Sequence, residues 1–263
     1  MIKINFNEPH PTYRLKDGTI AVSVTTAMGS LNKPALPVWG FNTGRTPRFE
    51  SIPEAAQGTG VNLKKMTKDA AIRWAFSVGQ ERKFPSLYGN VDKAADIGTV
   101  AHEILRAREL KDEIDNSNIE PKIWELALQS VKSHDKWFQD MTMETILFEK
   151  LLVSEKHKYG GKPDKLALIS NEETLLDYKS GKDIYDEYWM QVTAYAVLLL
   201  EHGYNPTRCM IINMPKAKGD NFKIESRGLA DLLDAGHFEL FIAARDAYYA
   251  GKKIKAHKEV DLG

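Results

Sequence analysis

Gly160-Gly161-Lys162-Pro163-Asp164-Lys165-Leu166-Ala167-Leu168-Ile169 is followed by Ser170-Asn171-Glu172-Glu173 and then by Thr174-Leu175-Leu176-Asp177-Tyr178-Lys179. Two short apolar runs flank a polar four-residue link, the pattern of a β-hairpin. Side chains alternate along a strand, so Asp177 and Lys179 share one face while Tyr178 takes the other. Closing the hairpin brings Asp164, at the start of the first strand, beside Asp177. Two carboxylates at one point suit a divalent cation, and a neighbouring lysine can polarise water or hold a phosphoryl oxygen.

Working outward, alternation in Tyr13-Arg14-Leu15 and Ile20-Ala21-Val22 about Lys16-Asp17-Gly18 predicts an N-terminal hairpin running into Ser23-Val24-Thr25-Thr26. Polar, Gly and Pro residues over 42–60 read as an exposed excursion, and 64–77 as a helix carrying Met66, Ala70 and Trp74. A second helix is expected over 92–110, with Ala94, Ile97, Ala101, Ile104 and Leu105 on one face and His102 within it. Pro121 opens a third, to about Gln139, whose inward stripe is Ile123, Leu126, Ala127, Val131 and Trp137. Strands follow at 145–152, containing Glu149, at 162–169 and at 174–178. Beyond them come a helix over 187–202, a buried strand over 208–214, an edge strand over 222–225 and a final helix over 229–250. Past the first part, the order is helix, three strands, helix, strand, a mixed sheet flanked by helices.

With 263 residues the chain can bury a full core. Its 36 basic and 36 acidic residues give no global positive field, so any nucleic-acid path is local. The single cysteine, Cys209, excludes an internal disulfide and an all-cysteine metal or iron-sulfur site. Met1-Ile2-Lys3-Ile4-Asn5-Phe6 lacks a signal-peptide core, and the best apolar run, 194–200, is too short for a membrane span. A soluble, cytoplasmic protein is expected. Gly58-Thr59-Gly60 is too short for a phosphate loop, and ATP is not implied. His134, His157, His202 and His237 have no convincing ligand partner, and Ser154 lacks a nucleophile's setting.

This order, with Asp164 in Gly161-Lys162-Pro163-Asp164 and Asp177-Tyr178-Lys179 after it, resembles the PD-(D/E)XK nuclease superfamily. The branch it resembles is the RecB type, which includes mitochondrial genome maintenance exonucleases and phage-encoded relatives. The resemblance covers 92–214, and Ser23-Val24-Thr25-Thr26, Lys33-Pro34-Ala35-Leu36 and Trp39 look like the preceding segment of those exonucleases. Singly, Asp164 reads as a turn residue and Asp177 with Lys179 as a strand-edge ion pair. Together they fall in the right order, with about a dozen residues between the acids, as a hairpin requires.

The resemblance implies a restriction-endonuclease-like α/β core over 92–263 and an N-terminal extension over 1–91 that walls the site. Asp164, Asp177 and Lys179 become catalytic, and His102, Asp164, Asp177 and the carbonyl of Tyr178 hold one or two Mg2+ or Mn2+ ions. Gln191 and Tyr195, one helical turn apart, match the Gln-x-x-x-Tyr motif that supports the site and contacts nucleic acid, with Lys182 as a further phosphate contact. Glu149 is a secondary candidate, equally readable as an outward strand residue. The implied function is a metal-dependent DNA exonuclease acting from free, single-stranded ends in replication, recombination or repair, of phage type. A monomer is favoured, with a recombination or replication protein as a further expected partner. The alternatives are a structure-specific endonuclease and a nuclease-like module that binds DNA without cutting.

Overall fold

The structure is a computed structural model that describes residues 2–4, 11–29, 85–139, 141–181, 183–214 and 222–260. The expected excursion over 42–60, the helix over 64–77, Lys33, Trp39 and Lys182 lie outside the described residues. In chain order the elements are β1 (Ile2–Lys3), β2 (Tyr13–Arg14), β3 (Ile20–Ser23), α1 (Val24–Met28), α2 (Pro85–Leu110), β4 (Ile114–Asp115), α3 (Pro121–Phe138) and β5 (Met143–Phe148). They continue with β6 (Leu152–Ser154), β7 (Tyr159–Gly161), β8 (Lys165–Ile169), β9 (Glu172–Lys179), α4 (Asp186–Glu201), β10 (Arg208–Asn213), β11 (Lys223–Gly228), α5 (Leu229–Asp234) and α6 (His237–Val260). The chain divides into two compact units, one of residues 1–31 with 100–263 and one of 32–99. All the sheets belong to the first.

The fold is α/β, with mixed sheets flanked by helices. The core sheet has the order β11-β10-β9-β8-β5, in which only the β9–β10 pair is parallel. Helix α4 makes that parallel crossover, as the chemistry of a parallel pair demands. The expected helix, three strands, helix, strand is thus realised as α3, β5, β8, β9, α4, β10. Strand β10 carries the near-continuous apolar run Cys209-Met210-Ile211-Ile212 because it is an inner strand covered on both faces. Leu166, Leu175, Cys209 and Ile211 meet Trp189, Val192 and Leu199 of α4 in the main core, which Val24 of α1 and Phe241 of α6 complete.

The β8–β9 hairpin is tighter than its four-residue polar link implies. Only Ser170 and Asn171 form the turn, both with positive φ (51° and 65°), the geometry that matches the twist of paired strands. Glu172 and Glu173 belong to β9.

Four expectations need correction. Residues 145–152 are not one strand: β5 ends at Phe148, Glu149 turns the chain with φ 42°, and Leu152 starts β6 in another sheet. The strand expected over 162–169 begins only at Lys165: residues 162–164 link β8 to β7, and Tyr159–Gly161 of β7 pair in the order β2-β3-β7-β6. Gly160 and Gly161 therefore serve close approach rather than a turn: a Cβ on Gly160 would lie 2.3 Å from the Tyr13 ring, and one on Gly161 2.6 Å from Tyr195. Third, the final helix is two, α5 and α6, broken where Gly236 takes φ 81° as a C-terminal cap. It then runs through Gly251, since one internal glycine costs a helix only about 1 kcal/mol. Fourth, the buried stripe of α3 holds Ser130 and His134, while Trp137 is only half-buried.

No described helix is long and apolar enough to cross a membrane.

Candidate active site

The ladder that pairs Lys165 with Leu176 places Asp164 opposite Asp177 one step further along. This is the open end of the β8–β9 hairpin, away from its turn. Asp164 Oδ2 accepts the Tyr178 N–H at 2.8 Å, and its carbonyl accepts the Glu149 N–H at 3.0 Å, which fixes the loop before β8. Asp177 is 1% exposed. Burial pushes its carboxyl up to about 6; Lys179 opposes the shift and the Asp164 charge adds to it. Burial also raises Asp164, against the pull of Lys179 and the Tyr178 N–H. The two acids thus feel one another.

Lys179 shares the face of Asp177, as the strand period requires, and its Nζ lies against Asp177 Oδ2. That oxygen nonetheless has no partner in hydrogen-bonding geometry. The ammonium is steered instead by Gln191, whose Oε1 accepts from it at 3.0 Å, and it sits 5.1 Å from the centre of the Tyr188 ring. Gln191 in turn donates through Nε2 to the Tyr195 hydroxyl at 3.1 Å. Tyr195 is buried against Gly161, so the chain Lys179–Gln191–Tyr195 is anchored in the core.

His102 reaches the same end from α2. Burial keeps its imidazole below the ordinary range, with Lys179 adding to the effect and Asp177, Glu149 and Glu103 opposing it. It is therefore neutral at pH 7, the form that can donate a lone pair. Its ring meets Tyr178 edge-on, centroids 6.0 Å apart. The structure does not gather His102, Asp164 and Asp177 into a ready triad: among the described residues no three His, Cys, Asp or Glu side chains converge closely enough to hold an ion. Glu149, just past β5, shares Oε2 between Lys162 at 2.9 Å and Arg106 at 3.4 Å.

The donor set still fits a hard divalent cation. Two buried carboxylates with raised proton affinity and a neutral imidazole nearby favour positive charge. Asp164 and Asp177 outweigh Lys179 by one negative charge, which by itself would repel a phosphodiester.

Three supporting residues escaped the sequence reading. Tyr188, Gln191 and Tyr195 fall at i, i+3 and i+7 on α4, so helical spacing alone marks Tyr188. Asn213, buried opposite Lys179 in the β9–β10 register, brackets Gly181 with two hydrogen bonds of 3.0 and 3.1 Å. Arg106 lies one helical turn beyond His102 on α2 and had the same signal.

No family model matches the chain, and no curated protein does. Among solved structures it is similar to an alkaline exonuclease from Laribacter hongkongensis, with 12% identity, a TM-score of 0.36 and coverage of 82% of this chain and 93% of that one. A second structure of that exonuclease, in complex with dAMP, gives 17% identity, a TM-score of 0.35 and coverage of 65% and 92%. Likeness at this level carries no inference about the activity of this chain.

Proposed function

We propose that this protein is a divalent-metal-dependent nuclease that hydrolyses DNA phosphodiester bonds. The observation that carries the reading is the meeting of Asp164 and Asp177 at the open end of one hairpin, with Lys179 on the same face and held by Gln191. His102, Asp164, Asp177 and the carbonyl of Tyr178 would hold Mg2+ or Mn2+, in one or two ions. The ion supplies a Lewis acid and a water of lowered pKa.

The protein's own groups do the rest. The two carboxylates are pre-set by β8 and β9, so little reorganisation accompanies the reaction. The Lys179 ammonium orients the attacking water or stabilises negative charge developing on the phosphoryl oxygens. Gln191 holds that ammonium and Tyr195 holds Gln191; because Tyr195 is buried in the core it supports the site rather than touching a strand, which leaves Gln191 and Lys182 as the proposed nucleic-acid contacts. Neutral His102 keeps its lone pair free at neutral pH.

Attack from free single-stranded ends is part of the same proposal. It rests on the sequence resemblance to RecB-type exonucleases, which assigns the blocking wall to the extension 1–91. A DNA replication, recombination or repair role in a phage-type setting has the same basis.

The test is digestion of 5′- and 3′-labelled single- and double-stranded DNA and of covalently closed single-stranded circles, with Mg2+, with Mn2+ and with EDTA. The expected result is metal-dependent release from linear strands while circles survive. Rapid cutting of circles would favour an endonuclease. Binding without cutting, in either metal, would favour a non-catalytic module, the reading that the unconverged ligand set supports.

A further inference from the structure

Helix α4, which supplies Gln191 to the catalytic lysine, begins at a tyrosine. Tyr185 takes its N-cap position in an extended conformation (φ −107°, ψ 154°) but makes no side-chain cap hydrogen bond. Serine, threonine, aspartate or asparagine is the usual choice there, because a short side chain with an acceptor oxygen reaches the free N–H groups of the first turn. Helix formation therefore does not explain this residue. Nor does core packing. Tyr185 is 44% exposed, and among the described side chains of Phe, Tyr and Trp no other ring is exposed.

Its neighbours give the ring a use. Tyr185 meets Tyr188 edge-on, with centroids 5.5 Å apart and planes at 77°, and the Tyr188 ring carries the Lys179 ammonium 5.1 Å from its centre. Tyr185 thus lies one ring away from the lysine. The link between β9 and α4 holds it there. Asn213 clamps Gly181 through hydrogen bonds of 3.0 and 3.1 Å, and Ile184, just before the tyrosine, packs against the main core. A Cβ on Gly181 would fall 2.8 Å from the Tyr188 hydroxyl and 3.7 Å from the Tyr185 ring, so the glycine lets both rings lie against this link. Charge then sorts backbone from base. Asp186 and Glu187 follow Tyr185 in the first turn of α4 and disfavour a phosphate against its ring, whereas the Lys179 ammonium attracts one.

We propose that Tyr185 stacks on a base of single-stranded DNA, next to the phosphate that Lys179 engages. An aromatic ring accepts any base, because every base has a π face. Interior bases of a duplex have both faces covered by their neighbours, so an exposed ring selects an unpaired strand. The proposal rests on the nuclease reading of Asp164, Asp177 and Lys179 and adds to it a contact that reads the form of the substrate. Tyr185 acts on the binding of the strand and takes no part in breaking the bond.

Fluorescence anisotropy of a labelled short oligothymidylate and of its fully abasic counterpart tests the proposal, with Ca2+, a hard cation that takes oxygen ligands, in place of Mg2+. Wild type is compared with Tyr185→Ala and Tyr185→Phe, both of which should fold, since the side chain is exposed and caps nothing. Wild type should bind the thymidine strand more tightly than the abasic one, and Tyr185→Ala should reduce that preference about tenfold, the value of one stacked base. Tyr185→Phe, which keeps the face and removes the hydroxyl, should retain it. A tyrosine of purely structural value would weaken both strands alike and leave their ratio unchanged. An unchanged preference in Tyr185→Ala, its loss in Tyr185→Phe, or no preference in wild type overturns the proposal. Cleavage in Mg2+ is scored apart: a protein that cuts no DNA can still show the stacking preference, and an active nuclease can still lack it.

Discussion

On the α3 side of the core sheet, Lys165 meets Glu109 at 2.6 Å, and on the α4 side Lys179 lies against Asp177. Both are lysine–carboxylate pairs whose lysines belong to the same hairpin, Glu109 reaching Lys165 from α2, yet their electrostatics are opposite. Burial would raise the Glu109 carboxyl, but hydrogen bonds from Lys165 and Thr145 more than offset it, and the group lies below its ordinary range. Asp177 is pushed up to about 6, because burial and the neighbouring Asp164 outweigh the attraction of Lys179. Glu109 is the one carboxylate on its lysine, whereas Asp177 shares the pull of Lys179 with a second carboxylate, Asp164. An ion pair alone therefore says little about function. The informative signs are a second carboxylate and a proton affinity raised in spite of the lysine.

Substitutions at the two pairs should separate along the same line. The largest effect belongs to Lys179→Ala: loss of a positioned donor should lower turnover on single-stranded DNA by about 10²–10³-fold while ion binding by the acids persists. Single-turnover kinetics beside ion titration checks both halves, and unchanged turnover removes Lys179 from the mechanism. Next is Glu109→Ala, which strands the buried Lys165 charge and should cost about 3 kcal/mol of stability at pH 7 in denaturant unfolding. Activity per folded molecule should survive it. The wild-type contribution is present above the ordinary carboxyl value of 4.5 and fades as pH falls below it, the sign of a depressed group.

Asp177→Asn should move stability the other way. The folded protein holds the Asp177 proton more tightly than the unfolded chain, so wild-type stability falls as pH rises from 3.8 to about 6 and the penalty is complete above that. Asparagine should remove on the order of 2–3 kcal/mol of that penalty at pH 8 while abolishing turnover. A variant less stable than wild type at pH 8 would contradict the raised carboxyl. In wild type, activity should decline as pH drops through about 6, where Asp177 takes up its proton. The smallest effect is Tyr195→Phe. Gln191 loses one acceptor, and turnover should fall about tenfold with KM nearly unchanged.

Much of the core was legible in the chain because it is local. Asp164, Asp177 and Lys179 are set by one hairpin and by strand alternation, and Gln191 with Tyr195 by one helical turn. What was not legible is non-local. Strands β6 and β7 are three residues each, too short for a period, and exist because β7 pairs with β3 from the N-terminal hairpin and β6 pairs with β7. The split of residues 145–152 at Glu149 follows from that pairing. The Glu109–Lys165 contact joins residues 56 apart, so neither sequence neighbourhood shows it. Gly236 breaks the last helix while Gly251 does not, a difference set by backbone conformation rather than residue type. His102 was placed correctly on its helix, but spacing could not say how closely its ring approaches the acids.

The most direct test of a shared cation site is calorimetric titration of Mn2+ into the wild-type protein, Asp177→Asn and Lys179→Ala at pH 8, where Asp177 is ionised. Saturable binding to wild type and to Lys179→Ala, lost in Asp177→Asn, is the predicted result. Equal binding by wild type and Asp177→Asn, or none by either, would contradict the account.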